Sequence, residues 1–262
     1  EGDYYNTGRE TFIAPVEWID GWPIINPNNE EVKFQYPVSW KEVKQKDGIP
    51  MNGNFNYTYL FKDSLEADFL FLRTYDPSWF SFTDPKGYLT LNLLPETAMG
   101  NKNPAFIGKR QQHLTAEAST ELNFSANQEN EKAGLMIFQS ETHFYFICRS
   151  KSGTKNVIQL FKAGEKEDNM ELIKEVFLDN SSDKVFFKIN AEKDKYSFSY
   201  ATKKNDWILL KGDMDGKYLS TRSAGGFVGS LFAMYATSSG KISKNKASFK
   251  WLNYKGNDET FN

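Results

Sequence analysis

The chain has 262 residues, of which 39% are hydrophobic and 16% aromatic, a composition typical of a β-rich protein and long enough for one large all-β domain or two smaller ones. Its 32 basic and 34 acidic side chains leave a net charge of −2 and form no basic stripe, so we expect neither a nucleic-acid partner nor an anionic membrane as partner. No apolar run approaches the length of a membrane-spanning helix.

The first forty residues differ from the rest and predict one short hairpin rather than a domain. Residues 8–27 contain Trp18 and Trp22, with turn signals at Asp20-Gly21 and at Asn26-Pro27. An isolated hairpin is at best marginally stable in water. We therefore expect this segment to pack against another part of the protein.

A polar, turn-rich stretch at residues 28–53 follows and is typical of a linker. We place a terminal hairpin with its linker at residues 1–40 and a second domain at 41–262. The chain begins at Glu1 rather than Met and shows no signal-peptide pattern. Either a processed leader or a longer protein is expected upstream, and the motifs below favour the longer protein.

The remainder reads as strand after strand with turn signals between them. The alternation of apolar and polar residues has the period of two that half-buried strands require. Met170–Phe177 fits a helix or a strand equally well, and no other stretch is convincingly helical. Many short strands without βαβ alternation predict an all-β fold built as a two-sheet sandwich.

The catalytic constellations of common enzymes are missing from the sequence. His113, His143 and Cys148 are too few for the usual zinc site, and Cys148 lies in an apolar run that predicts a core position. We find no nucleophile elbow and no phosphate-binding loop followed by a helix. Carboxylate pairs are too frequent for spacing to single out an acid–base dyad. We predict no catalytic residue in this chain.

Two polar motifs are weighed between a structural and a functional reading. Asp213–Gly216 has a slight likeness to a calcium loop but lacks the later ligands, so a polar hairpin turn is favoured. We expect no cofactor, although a calcium ion on another edge of the sandwich is left open. Arg110–His113 is read as an edge or solvent-facing strand in preference to a sugar-facing one.

Several longer motifs resemble one enzyme family. Residues 8–18, followed by Asp20-Gly21-Trp22-Pro23, resemble the closing stretch of the five-bladed propeller in family-43 β-xylosidases and α-arabinofuranosidases. Further motifs resemble the sandwich domain that follows this propeller: Gly108–His113, Ala133–Leu135, Gly225–Gly229 and Ala247–Trp251. The resemblance implies a concanavalin A-like (jelly-roll) sandwich preceded by a short remnant of a β-propeller.

The resemblance also implies where the chemistry is. The three catalytic carboxylates of that family lie in earlier blades, and so upstream of residue 1. Arg9 matches an arginine that hydrogen-bonds substrate hydroxyls, and its alternative is a structural role at a strand end. Phe227 matches an aromatic that the sandwich projects over the propeller's pocket, and its alternative is core packing. Arg9 and Phe227 are therefore the candidate substrate-binding residues.

Three functions remain open at this point. The favoured one is an accessory part of a xylan-degrading glycoside hydrolase, whose partners are the missing propeller and, through the parent enzyme, a xylo- or arabino-oligosaccharide. The second is an independent carbohydrate-binding sandwich in which Tyr145, Trp207 or Tyr200 stacks on sugar. The third is a protein-interaction sandwich. An independent binding module would not need the last hairpin of a propeller, so the hairpin favours the accessory part of a glycoside hydrolase. The sequence does not predict the oligomeric state.

Overall fold

The computed structural model describes residues 4–8, 11–27, 31–33, 36–37, 39, 48–50, 52–164, 169–179 and 182–259. Backbone packing divides the chain into two units, one comprising residues 1–8 and 50–262 and the other residues 9–49. Residues 4–8 thus pack with the larger unit, whereas the domain boundary predicted from the sequence groups them with the hairpin.

The smaller unit contains the predicted hairpin. Strands β1 (Val16–Ile19) and β2 (Trp22–Ile25) pair antiparallel. The intervening Asp20 and Gly21 both have positive φ angles, which suit a tight hairpin turn. All eight strand residues are exposed, and Trp18 and Trp22 are 73% and 74% exposed. The hairpin therefore buries almost none of its apolar side chains within its own unit.

The described part of the larger unit forms two antiparallel sheets. The seven-stranded sheet has the order β12-β11-β10-β9-β16-β7-β4. Its strands, in chain order, are β4 (Leu70–Phe71), β7 (Ala105–Arg110), β9 (Lys132–Ser140), β10 (His143–Ser152), β11 (Lys155–Ala163), β12 (Met170–Phe177) and β16 (Leu231–Thr237).

The eight-stranded sheet has the order β15-β14-β13-β8-β17-β6-β5, and its eighth strand, β3, pairs with β17 beyond the stretch that pairs with β6. Its strands are β3 (Phe55–Leu60), β5 (Phe80–Thr83), β6 (Lys86–Asn92), β8 (Thr115–Asn123), β13 (Lys184–Glu192), β14 (Lys195–Ala201), β15 (Ile208–Asp215) and β17 (Lys246–Gly256).

Strand alternation places one set of aromatic rings between the sheets. Tyr145 of β10 contacts Phe198 of β14 across the two layers, with ring centroids 5.7 Å apart. The next residue, Phe146, points to the opposite face, where it contacts Tyr235 at 4.9 Å. Both faces of the seven-stranded sheet are thus apolar, and both need cover.

The outer face of the seven-stranded sheet carries a second buried cluster. Residues 93–103, the covering segment, run across it between β6 and β7, and Ala98 and Met99 pack into the cluster. The Ala98 backbone N–H donates to the Tyr235 hydroxyl at 3.0 Å. The other buried members are Phe106, Met136, Phe138, Phe144, Phe146, Cys148, Phe161, Ala163, Leu231, Ala233 and Tyr235. The central strands β9, β10 and β16 are buried along nearly their whole length, because both of their faces are covered.

The predicted all-β sandwich is confirmed. The ambiguous stretch Met170–Phe177 is strand β12, and the described helices are one α-turn, α1 (Thr221–Ala224), and two 3₁₀ turns, Pro77–Trp79 and Lys217–Leu219. Cys148 is fully buried as predicted, and burial raises the pKa of its thiol to about 12. No described helix is long and apolar enough to cross a membrane.

We predict that Phe146→Ala lowers the free energy of unfolding by about 3–5 kcal/mol, because it leaves a cavity in the outer cluster. Phe177→Ala, at an exposed position of the same sheet, is the matched control and is expected to cost less than about 1 kcal/mol. Urea unfolding of the two variants measures the difference. Equal losses would contradict a tightly packed outer cluster.

Candidate functional site

Phe227 lies in a glycine-rich loop between α1 and β16, at one end of the sandwich. We call residues 225–229 the Phe227 loop. Gly225 and Gly226 have φ angles of 78° and 72°, a region that a residue with a side chain rarely adopts. The Phe227 side chain is 65% exposed, so the alternative of simple core packing does not describe it. The loop presents an apolar ring at the surface.

The chain segment that precedes the hairpin holds this loop. Gly8 forms an isolated antiparallel bridge with Val228. A Cβ atom at Gly229 would lie 2.3 Å from the Thr7 carbonyl oxygen, and one at Gly8 would lie 2.4 Å from the Gly229 nitrogen. The two backbones approach so closely that only glycine fits at either position. The glycines at positions 8 and 229 thus have a steric explanation.

Asn6 carries the same segment into the interior of the sandwich. Its side chain is 5% exposed, and its Nδ2 donates to the Tyr196 hydroxyl and to the Gly216 carbonyl oxygen, both at 3.0 Å. Its backbone carbonyl accepts from the Ser230 N–H at 2.7 Å. Asn6 is thus joined to a residue 210 positions away, Gly216, and to Ser230, which lies still farther along the chain. The buried amide nitrogen thus has two hydrogen-bond acceptors, as a polar group in a core requires partners.

Residues 111 and 113 complete this buried network, contrary to the prediction for Arg110–His113. Gln111 and His113 are 1% and 2% exposed, so that run is not an edge or solvent-facing strand throughout. The Tyr196 hydroxyl donates to Gln111 Oε1 at 2.7 Å, and Gln111 Nε2 donates to the His113 carbonyl oxygen at 2.9 Å. His113 Nδ1 lies 2.9 Å from the Tyr254 hydroxyl. These side chains join the N-terminal segment to strands β14 and β17 of the eight-stranded sheet.

Burial and these partners change the acidity of Tyr196. Burial raises the pKa of its phenol to about 12, and the hydrogen bonds from Asn6 and to Gln111 partly oppose that rise. The phenol is therefore a neutral hydrogen-bonding group at all physiological pH values. It serves the architecture of the loop rather than proton transfer.

Gln139 of β9 and Arg110 of β7 hold the Phe227 loop from the sheet. Gln139 Nε2 donates to the Gly225 and Val228 carbonyl oxygens at 3.1 and 3.4 Å. Arg110 Nη1 donates to the Gly229 carbonyl oxygen at 3.3 Å. The loop is thus held at its ends and on both sides of Phe227.

Arg9, the other candidate substrate contact, lies outside the described residues. In the sequence it directly follows Gly8, just as Phe227 directly precedes Val228. A single β-bridge therefore joins the sequence neighbours of the two candidates. Sequence patterns gave no signal for Asn6 or Gln139, because neither belongs to a repeating pattern.

The predicted calcium-like motif has a structural role. Asp213 and Asp215 belong to the end of strand β15 rather than to a hairpin turn, and Asp213 lies 3.3 Å from Lys195 Nζ. Asp215 Oδ1 accepts from the Lys217 N–H at 2.9 Å. Across the described residues, no group of three or more His, Cys, Asp or Glu side chains could hold a metal ion. The Phe227 loop itself carries no titratable side chain, so it can shape a site but not transfer protons.

A family described as the beta xylosidase C-terminal concanavalin A-like domain matches residues 60–255. The chain belongs to this family. The family covers most of the sandwich, including the strands that anchor the Phe227 loop. The resemblance inferred from the sequence motifs is thereby confirmed.

Relatives agree with this assignment. A xylosidase/arabinosidase of Butyrivibrio fibrisolvens is 32% identical over 252 residues, which are 94% of this chain and 46% of the relative. A non-reducing end α-L-arabinofuranosidase of Bacteroides ovatus is 28% identical, over 97% of this chain and 46% of the relative. The chain spans about half the length of the curated relatives it matches.

A solved structure, a GH43B protein described with the Bacteroides ovatus xyloglucan PUL, superposes with a TM-score of 0.82 at 27% identity. The superposition covers 98% of this chain and 49% of the solved chain. The GH43 protein BlXynB of Bacillus licheniformis has a TM-score of 0.83 at 24% identity, which shows the shared fold. The family's sandwich thus has a closely similar backbone in proteins of twice this length.

We predict that Gly229→Ala separates the N-terminal segment from the Phe227 loop, because its Cβ would overlap the Thr7 carbonyl. The expected loss of unfolding free energy is about 1–3 kcal/mol, with faster hydrogen exchange at Ser230 and Thr221, whose N–H groups donate to the carbonyl oxygens of Asn6 and Tyr5. Gly212→Ala is the matched control, because its Cβ would meet no atom within 3.5 Å. Unchanged exchange in the Gly229 variant would contradict this account of the glycine.

Tyr196 also predicts a dependence of stability on alkaline pH. The pKa of this phenol is raised in the folded state relative to about 10 in the unfolded chain, so the folded state retains its proton longer. Its contribution is complete below about pH 10 and is lost as pH rises toward the folded pKa of about 12. We expect Tyr196→Phe to be less stable than the wild-type protein at neutral pH. Between about pH 8 and about pH 11, however, its free energy of unfolding should fall by less than that of the wild-type protein. Urea unfolding at both pH values measures this, and parallel losses in the two proteins would count against it.

Proposed function

We propose that this chain is the C-terminal accessory part of a GH43 xylosidase or arabinofuranosidase, in which it braces the catalytic propeller and closes its pocket on one side. The observation that carries the proposal is the Phe227 loop, an exposed apolar ring on a backbone fixed from two directions. The catalytic carboxylates belong to the half of the relatives that this chain does not span. The substrate would be a xylo- or arabino-oligosaccharide.

The hairpin supports an upstream partner within the same protein. Its strands expose Val16, Trp18, Ile19, Trp22 and Ile25, an apolar surface that a two-stranded hairpin cannot bury by itself. The relatives extend over about twice the length of this chain. We infer that the missing half covers these side chains by continuing the propeller to which the hairpin belongs.

Phe227 has the properties of a pocket lid. An apolar ring over a sugar excludes water and strengthens the polar contacts beneath it. It also fixes the shape of the pocket without taking part in proton transfer. Arg9 would complement it by donating hydrogen bonds to sugar hydroxyls from a guanidinium that stays charged at every working pH.

The alternative of an independent carbohydrate-binding module gains less support. Of its three candidate stacking residues, Tyr145 and Tyr200 are buried, and the Tyr145 hydroxyl donates to the Asp215 carbonyl oxygen. Trp207 is partly exposed, but Lys188 Nζ lies 4.6 Å from its ring centroid. The three rings do not form one stacking platform. We expect no measurable heat when xylo-oligosaccharides are titrated into this chain.

We predict that Phe227→Ala, made in the protein together with its upstream half, raises KM for an aryl β-xyloside or aryl α-arabinofuranoside about tenfold. The reason is that the ring contacts the sugar equally in the ground and transition states, so kcat should change less than about twofold. The 262-residue chain alone should hydrolyse neither substrate. Steady-state kinetics on both proteins provide the measurement.

Phe177→Ala, at an exposed phenylalanine on the edge strand β12, is the control for these kinetics. It should leave KM and kcat unchanged. Hydrolysis by the chain alone, or a normal KM in Phe227→Ala, would refute the proposed role.

A further inference from the structure

The side-chain amide of Gln139 spans the residues on either side of Phe227. Its Nε2 group donates to the carbonyl oxygens of Gly225 and Val228, which flank Gly226 and Phe227. Both hydrogens of one amide nitrogen thus bind the two ends of a short backbone arc. This holds the arc in one shape, because the distance between its two carbonyl oxygens is set by a rigid planar group.

The anchor is itself firmly placed. Gln139 is 5% exposed and lies near the end of β9, next to Phe138, which pairs with Leu231 in the neighbouring strand. The Oε1 atom of Gln139 is buried and has no partner among the described residues. The orientation of the amide therefore follows from the two carbonyl acceptors, since the reverse orientation would set an oxygen against both of them.

The anchors from Gly8, Arg110 and Asn6 act on Val228 and the two residues after it, which follow Phe227 in the chain. Gly8 pairs with Val228, and Arg110 and Asn6 reach Gly229 and Ser230. Gly225 and Gly226 precede Phe227 and lack the side chains that would restrict their backbone. Fixing their backbone therefore costs more conformational entropy than fixing that of Val228, on the other side of Phe227. Gln139 is the side chain shown to bind both sides of Phe227.

We propose that Gln139 is a positioning residue, which sets the place of the Phe227 ring over the substrate and thereby contributes to substrate binding without touching the sugar. The proposal rests on the proposed function of Phe227. It differs from a general stabilising role in one respect: a substitution of Gln139 should change KM only when Phe227 is present.

Gln139→Met tests this in the protein with its upstream half, because methionine keeps the length and apolar stem of the side chain but cannot donate. We expect KM to rise about three- to tenfold with kcat changed by less than about twofold, since a misplaced ring weakens binding in the ground and transition states alike. Gln139→Glu should have a larger effect in the same direction, because a carboxylate repels both carbonyl oxygens. Gln159→Met is the matched control: Gln159 is 7% exposed, but its amide donates to Glu175, away from the Phe227 loop.

A double-mutant cycle with Phe227→Ala decides between positioning and stability. In the Phe227→Ala background, Gln139→Met should change KM by less than about 1.5-fold. A rise in KM as large as in the wild-type background overturns the proposal. So does a fall in kcat at unchanged KM, which is the mark of a smaller folded fraction.

Failure of the proposed function is separable from failure of this inference. A normal KM in Phe227→Ala overturns both. A raised KM in Phe227→Ala with a normal KM in both Gln139 variants overturns the positioning role alone. Hydrogen exchange on the 262-residue chain gives a second readout, in which the Gly225 N–H, which donates to the Thr221 carbonyl oxygen, should exchange at least about tenfold faster in Gln139→Met than in Gln159→Met. Equal exchange in these two variants also overturns the role.

Discussion

The insertion of residues 4–8 into one end of the sandwich is the constraint on which the candidate site depends. Asn6 places a buried amide between Tyr196 and Gly216, and Gly8 pairs with Val228. These contacts join positions about 190–220 apart in the sequence, so they form only after the loop-closure entropy of nearly the whole chain has been overcome. The Phe227 loop therefore reaches its final shape only when both sheets and the N-terminal segment have assembled.

The apolar outer face of the seven-stranded sheet limits where a glycan could bind. The covering segment closes that face with Ala98 and Met99, and the aromatic rings beneath it are in protein contact rather than available for stacking. This arrangement concentrates the candidate function at the end of the sandwich. The faces of the sheets provide stability, and the loops at one end provide the specific surface, which is the usual division between scaffold and loops.

Sequence reasoning succeeded where periodicity and steric rules apply. Alternation predicted the strands, the run around Cys148 predicted a core position, and Asp20-Gly21 predicted the turn of the hairpin. The prediction of a solvent-facing strand was wrong for Gln111 and His113. The sequence shows that these residues can form hydrogen bonds, but it does not show which distant residues bind them inside the fold. Asn6 and Gln139 escaped notice for the same reason: their partners are backbone carbonyls and a tyrosine brought close only by the tertiary fold.

The order of segments along the chain has a consequence for dividing this protein at the level of the gene. The family match begins at residue 60, yet the polypeptide enters the sandwich at residues 4–8, leaves it for the hairpin, and returns. A gene trimmed to the matched residues would encode a sandwich whose Tyr196 hydroxyl and Ser230 amide lack Asn6, with open space beside Gly229. Residues 4–8 are therefore part of the sandwich, and an exchange of the sandwich with that of a relative would have to include this segment.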